Sequence, residues 1–305
     1  MPYHLEKTEL IGMEAIQDLI ELVLWTLFVM GERLVSLLIG ADQESGKGEL
    51  IKKYRKNIGV HLIRRFTAYG ILRDLRKGKI SMFFERLKLL GYFLTPEIAN
   101  LFTFKANTVD SNIEFINAVT EDGLSKESAY WINVQDLEPY ENLKAGFVAG
   151  LNPFGFFTSE GKVKASFYKG GFFSRFIVTT FSNPPTMNFK ISDSIAHGEY
   201  RYDKKFRKFI HLNFPKKRVQ VHLPEDYAQE IRDLALEIAE EYNEDLEFHK
   251  IKGFRLQKSL ISLVKASALR DGRKTVNSKD VERIKYLSQW MNLKMKKLKM
   301  GYPHA

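Results

Sequence analysis

The sequence predicts an α/β fold: a parallel-stranded core with crossover helices, followed by a helical C-terminal region. Three observations carry this. Short apolar runs alternate with helical patterns between residues 34 and 181, as parallel pairing with crossover helices requires. The run 34–39 leads into a small-residue loop, then Gly46-Lys47, then a helical pattern, which is the order of a phosphate-binding loop. From Pro224 onward the chain reads as three successive helices joined by short polar segments. The expected division is an α/β nucleotide-binding domain over 1–223 and a helical domain over 224–305.

Taken in order, residues 13–33 form the first helix, with Ile16, Leu19, Ile20, Val23, Leu24, Leu27 and Phe28 at three-to-four spacing. Strand 34–39 follows, then the loop and a basic helix over 47–56. Residues 59–66 read as a second strand. Thr67 caps a helix over 68–76, which Gly78 ends. Residues 80–84 read as a third short strand, and 86–104 are mixed, with Pro96 breaking any long helix. An amphipathic helix over 107–122 closes at Gly123, and strands are expected at 130–134, 145–151 and 172–181. The C-terminal helices fall at 225–242, 255–271 and 278–297. Tyr227, Ile231, Leu234, Ala235, Ile238 and Tyr242 line one face of the first; Gly272 ends the second, and Asn277 or Ser278 caps the third.

At 305 residues the chain can bury one large core or two modest ones, and 44% apolar with 28% charged residues describes a globular protein. The absence of cysteine excludes disulfides, thiolate metal sites and Cys nucleophiles. No secretory signal is visible. The apolar run 22–30 is too short to span a bilayer and is flanked by Asp18, Glu21, Glu32 and Arg33, so a buried helix and a cytoplasmic protein are expected. The seven histidines are scattered without zinc-site spacing, and no Ser-His-Asp arrangement is legible. A net charge of +10 favours an anionic partner, nucleic acid ahead of membrane.

The loop is the centre of the expected chemistry. Backbone N–H groups among Gly40, Ser45, Gly46, Lys47, Gly48 and Glu49 would line a phosphate, and Lys47 would reach the terminal phosphates as a point charge. Two positions depart from G-x-x-x-x-G-K-[ST]. The first glycine falls at Ala41, with Gly40 just before it, and the hydroxyl that ligates Mg²⁺ falls at Gly48, which has no side-chain ligand. ATP or ADP binding at 40–49 is therefore expected, with Mg²⁺-dependent hydrolysis weak. The alternative is an ordinary strand–loop–helix turn with a chance Gly-Lys pair.

Further residues carry a family resemblance. Gly253-Phe254-Arg255-Leu256-Gln257-Lys258-Ser259-Leu260-Ile261, then Ala266-Ser267-Ala268, then Val276-Asn277-Ser278-Lys279-Asp280-Val281 resemble the helical lid of AAA+ ATPases, especially the minichromosome-maintenance helicases. Phe66-Thr67-Ala68-Tyr69-Gly70-Ile71-Leu72 and Gly171-Phe172-Phe173-Ser174-Arg175-Phe176 are similar to motifs of P-loop proteins from archaeal and mobile-element genomes.

The resemblance implies a P-loop NTPase core with a mainly parallel sheet and a C-terminal helical lid. By motif position it makes Arg255 a lid arginine on the γ-phosphate, acting in its own subunit or across an interface. Arg175 becomes an arginine finger reaching a neighbour's nucleotide, on a loop that Gly170 and Gly171 let move, so self-association is implied. A polar residue orienting the attacking water would be Asn152 or Asn183. The acidic motif should close an apolar strand with Asp-Glu. Glu85 offers one carboxylate, and Asp136 and Glu138 are separated by Leu137, so neither matches fully.

For nucleic acid, the segment 200–218 interleaves aromatics with Arg201, Lys204, Lys205, Arg207 and Lys208, suited to backbone charge and base stacking. Alternatively its Phe206, Phe209 and Ile210 enter the core while the cations face water. Lys52, Lys53, Arg55 and Lys56 form another basic cluster, and Lys294, Lys296, Lys297 and Lys299 a third. The expected function is a DNA-associated ATPase of replication or mobile-element maintenance. The alternatives are a catalytically degenerate module serving as a DNA-binding or assembly platform, and a helix-rich nucleic-acid binder whose loop match is accidental.

Overall fold

A computed structural model describes residues 10–125, 140–152, 171, 173–197, 209–245, 250–294 and 296–297. Along the chain these form α1 (Glu14–Trp25), β1 (Ser36–Ala41), α2 (Lys47–Lys53), β2 (Val60–Leu62), α3 (Ala68–Arg76), β3 (Leu89–Thr95), α4 (Ala106–Thr120), β4 (Lys144–Leu151), β5 (Phe176–Ser182), α5 (Pro185–Ala196), α6 (Glu225–Asp245), α7 (Phe254–Arg270), α8 (Ser278–Ser288) and the two-residue β6 (Lys296–Lys297). The fold is α/β. Its sheet has the order β2-β3-β4-β1-β5-β6, and every neighbouring pair is parallel.

β1 is central, with Leu38 opposite Ala149 of β4 on one side and Val178 of β5 on the other. Its six residues are all buried, as both faces of a parallel sheet demand. From β1 the chain crosses to β2 at the far edge; from β4 it crosses over β1 to β5. The carboxyl end of β1 is therefore where connections leave in opposite directions, the crevice in which open α/β sheets bind ligands. The order is not that of dinucleotide-binding sheets, where the first two strands are neighbours.

The third strand is not where the apolar run at 80–84 suggested. Residues 80–84 form no strand, and only Phe84 makes an isolated bridge, to Leu89. Phe83 and Phe84 instead pack on Phe28, with ring centroids 5.7 and 5.9 Å away. The strand is Leu89–Thr95, wholly buried, with the Tyr92 hydroxyl donating to Val35 O at 3.0 Å. Pro96 obscured it in the sequence. Gly91 has φ +102°, and a Cβ there would lie 2.0 Å from Gly59 O, so only glycine lets β3 pass the start of β2.

The remaining elements follow their local signals. The Thr67 hydroxyl accepts from Gly70 N–H at 3.0 Å and starts α3. α1 ends at Trp25 in a 3₁₀ turn, and α8 stops at Ser288, both short of their expected ends. α5 is an additional helix with Pro185 at its start. The expected strand at 130–134 lies outside the described residues.

The three C-terminal helices stand against the sheet and α1. The Tyr242 hydroxyl on α6 donates to Val178 O at 2.7 Å and accepts from its N–H at 3.0 Å. α7 packs on α1, where Arg270 reaches Asp18 at 2.6 Å, and its Lys265 reaches Glu32 in the turn before β1 at 2.5 Å. Asn277 caps α8 with a capping box closed by Asp280. The Asp280 carboxylate also takes two bonds from Arg273 (2.6 and 2.7 Å) and one from Ser267 (2.7 Å), which fixes the α7–α8 corner. Among the described residues, no helix is long and apolar enough to cross a membrane.

Candidate functional site

The loop after β1 turns through two left-handed residues, Glu44 (φ 60°) and Gly46 (φ 86°), before α2 starts at Lys47. Lys47 is buried, and its Nζ donates to Ala41 O at 2.9 Å and Asp42 O at 3.0 Å. The loop thus wraps its own lysine. Burial lowers the Lys47 pKa, while the Glu97 and Asp42 carboxylates hold it up.

Glu97 is the carboxylate that sequence reasoning missed. It follows β3 directly, and its Oε1 accepts from Ala99 N–H at 3.3 Å and Asn152 N–H at 3.4 Å. Burial raises its pKa; those two bonds and Lys47 oppose the rise. The signal was present as the apolar run Tyr92-Phe93-Leu94-Thr95 ending at Pro96-Glu97, but the proline disguised the strand end. Lys47 after β1, Glu97 after β3 and Asn152 after β4 converge at one edge of the sheet. Their approach depends on Gly150, where a Cβ would stand 2.2 Å from Pro96 O.

The other expected loop residues have distinct placements. Gly40 lies within β1, where a Cβ would meet Thr180 Cγ2 at 3.1 Å. Ser45 is buried, and its Oγ has no protein partner among the described residues; the same holds for Asn183 Oδ1, just beyond β5. Two unsatisfied buried oxygens at this edge are what a ligand or ordered water would complete. A Cβ at Gly48 would sit 3.7 Å from Pro96, an ordinary contact, so the position has room for a side chain that it lacks. Glu49 faces solvent and pairs with Lys52 at 2.6 Å.

Glu85 does not belong to this site. It is exposed in a 3₁₀ turn ahead of β3, so it lies at the opposite edge of a parallel sheet from Lys47. It was expected to close a strand over 80–84, and that strand does not form. Asp136 and Glu138 lie outside the described residues. Among the described residues, no three His, Cys, Asp or Glu side chains gather to hold a metal ion.

Arg175 and Arg255 also stand at that opposite edge, and they stand together. Arg175 immediately precedes β5, whose first residue pairs with Ser36 at the start of β1. The length of β1, roughly 17 Å of strand, separates that level from the Lys47 loop. Both guanidiniums clasp Glu121 after α4: Arg175 Nη2 lies 2.9 Å from Oε2, and Arg255 Nε donates to Oε1. Arg255 Nη1 donates to Ser174 Oγ at 2.8 Å, and Arg175 Nη1 to Gly171 O at 2.9 Å. Gly170 lies outside the described residues.

The nucleic-acid candidates Arg201, Lys204, Lys205, Arg207 and Lys208 lie outside the described residues. The end of their segment is fixed beside the second basic cluster. Ile210 N–H donates to Lys53 O at 3.1 Å, Asn57 bonds Ile210 O at 2.7 Å, and Arg55 and Lys56 stand 4.7 and 4.0 Å from the Phe209 ring centroid. A larger feature went unread. Residues 52–88 carry twelve Lys and Arg against Asp74 and Glu85, a surplus of ten that equals the +10 of the whole chain. Summing charge in windows would have found it. These residues build the β2 edge of the sheet, where α3 buries Ala68, Ile71, Leu72 and Leu75 and exposes Tyr69, Arg73, Arg76 and Lys77 as one stripe.

Compared with known proteins, the chain matches no family model and no curated protein.

Proposed function

We propose that this chain is an AAA+-like P-loop protein that binds a nucleoside triphosphate at the Lys47 loop and associates with DNA. The observation that carries the reading is the convergence of Lys47, Glu97 and Asn152 at the carboxyl edge of the central strand. A buried cation there suits phosphate oxygens. A triphosphate would take the Lys47 Nζ bonds now made to Ala41 and Asp42, and would offer acceptors to the Ser45 hydroxyl and the loop N–H groups.

For hydrolysis, Glu97 is the base. Its Oε1 is held by two N–H groups, which leaves Oε2 to accept a proton from water, and burial raises its affinity for protons. Mg²⁺ fits these residues poorly: Gly48 has no side-chain oxygen, and Pro96 stands where a second carboxylate would precede Glu97. That pair of departures favours a second reading within the same class, a module that binds nucleotide and turns it over slowly or not at all. Titrating ATP by calorimetry with and without Mg²⁺ tests the proposal. Binding that survives removal of Mg²⁺ is expected, and absence of binding in both conditions refutes it.

DNA association rests on the charge at residues 52–88. The α3 stripe offers three cations and an aromatic ring on one face, suited to phosphates and base stacking without base-edge readout. Self-association rests on Arg175 and Arg255, which serve a nucleotide only if it belongs to another copy.

A further inference from the structure

We propose that Asn183 makes the Lys47 loop selective for ribonucleotides, its side-chain amide bonding a hydroxyl of the ribose. This deepens the reading above and rests on it for the nucleotide. The place of Asn183 and its unsatisfied oxygen do not depend on it.

Asn183 follows β5, the strand on the far side of β1 from β4 and β3. Ala41 pairs with Phe181, so Asn183 stands two residues past the last pair, level with the loop that carries Ser45 and Lys47. It cannot orient water at Glu97. β1 and β4 lie between them, roughly 14 Å at three strand spacings. Its Oδ1 is buried and has no partner among the described residues. The sequence explains why. An Asn side chain ordinarily accepts from the N–H two residues on. Here that residue is Pro185, which has none, and neither has Pro184 between them. The same prolines fix the turn, because Pro184 is extended (φ −66°, ψ 154°) and Pro185 opens α5. A buried acceptor is thus held without its local donor, open to one that a ligand supplies.

The chemistry of the nucleotide narrows that donor. Glu97 stands on the β3–β4 side of Lys47, so a triphosphate whose terminal phosphate faces this carboxylate runs across β1 toward β5. The ribose then lies on the β5 side, where Asn183 is. Ionised phosphate oxygens accept and cannot donate, so the triphosphate itself does not satisfy Oδ1. A ribose hydroxyl donates, and it is the nucleotide's donor nearest to the phosphates. It also accepts, so it serves either end of the amide. A site built to bond a hydroxyl rejects the analogue that lacks it, because its buried polar group is then left unpaired. The β4 side thus addresses the terminal phosphate through Glu97 and Asn152, and the β5 side reads the sugar.

Calorimetry on the full chain compares ATP, 2′-deoxy-ATP, 3′-deoxy-ATP, GTP and inorganic tripolyphosphate on wild type and Asn183→Ala. In wild type at least one deoxy analogue should bind about fivefold to tenfold more weakly than ATP. Asn183→Ala should weaken ATP by a similar factor and abolish the preference, with tripolyphosphate affinity unchanged. Thermal melting controls for loss of fold; if Asn183→Ala does not fold, Asn183→Ser, whose side chain is shorter, takes its place with the same expectation. Both deoxy analogues binding wild type as tightly as ATP overturns the inference, as does a preference that persists in the folded variant. Tripolyphosphate binding to wild type in those cases leaves the loop reading intact. A variant that changes ATP against GTP and keeps the deoxy preference places the amide on the base, which also overturns the inference. Absence of both ATP and tripolyphosphate binding in wild type overturns the loop reading and this inference with it.

Discussion

The backbone N–H of Asn152 lies 3.4 Å from Oε1 of Glu97, which ties the end of β4 to the carboxylate that follows β3. The Asn152 main chain thereby orients Glu97 together with the Ala99 N–H, and the pairing of Gly40 with Leu151 sets its position next to the Lys47 loop.

Glu97→Gln should leave nucleotide affinity within a few-fold and lower any turnover by at least about 100-fold, the scale of losing a general base. Phosphate release under steady-state conditions, alongside calorimetry, reads both quantities. Turnover unchanged by the substitution would move the base elsewhere.

Glu21 gives a pH signature in the fold. Burial pushes its pKa from 4.5 to about 7, against the Arg270 charge and bonds from Tyr54 and Gln17, with Asp18 adding to the rise. The folded state therefore binds this proton more tightly than the unfolded chain. Its contribution to stability is complete below about pH 4.5 and is lost as pH rises through 7. Urea denaturation should show Glu21→Gln gaining on wild type by on the order of 1–3 kcal/mol between pH 5 and pH 8. A constant difference across that range would show that Glu21 stays ionised.

Asp280→Ala should destabilise the C-terminal helices by about 1–3 kcal/mol, the cost of losing the capping box and the acceptor of a buried hydroxyl. It leaves the Ser267 hydroxyl and the Asn277 N–H without that acceptor, while Arg273 keeps Asp271 at 3.0 Å. Chemical denaturation followed by circular dichroism measures the loss. The residue matches the family-like Asp-Val pair, and its work here is structural.

Replacing Arg73, Arg76 and Lys77 by Ala should weaken DNA binding and flatten its dependence on salt, since each neutralised phosphate releases counterions. Fluorescence anisotropy over a salt series gives the slope. An unchanged slope would take the α3 stripe out of the interface.

Much of the fold was legible because its signals are local. Thr67 marks the start of α3, Asn277 that of α8, and the buried run at 36–41 leads to Gly46-Lys47. β3 was missed because Pro96 read as a breaker in a mixed segment, and its two close approaches rest on glycines: Gly91 against Gly59, and Gly150 against the Pro96 carbonyl. Glu97 was lost with it, and Glu85 took its place on the strength of an apolar run that packs as an aromatic cluster. The resemblance singles out Arg175 and Arg255, but that they share Glu121 is not legible, since Glu121 is distant in sequence and no spacing rule reaches it. The basic edge was read only at Lys52, Lys53, Arg55 and Lys56, because its other cations are spread over α3 and the turns beside β2 and β3.

Triphosphate binding at the Lys47 loop underlies the proposed function. The most direct measurement is calorimetric titration of ATP into wild type and Lys47→Ala at one pH and salt concentration. One site per chain is expected in wild type, and at least about tenfold weaker affinity in the variant, or 1.4 kcal/mol. Equal affinity in two folded proteins would contradict it.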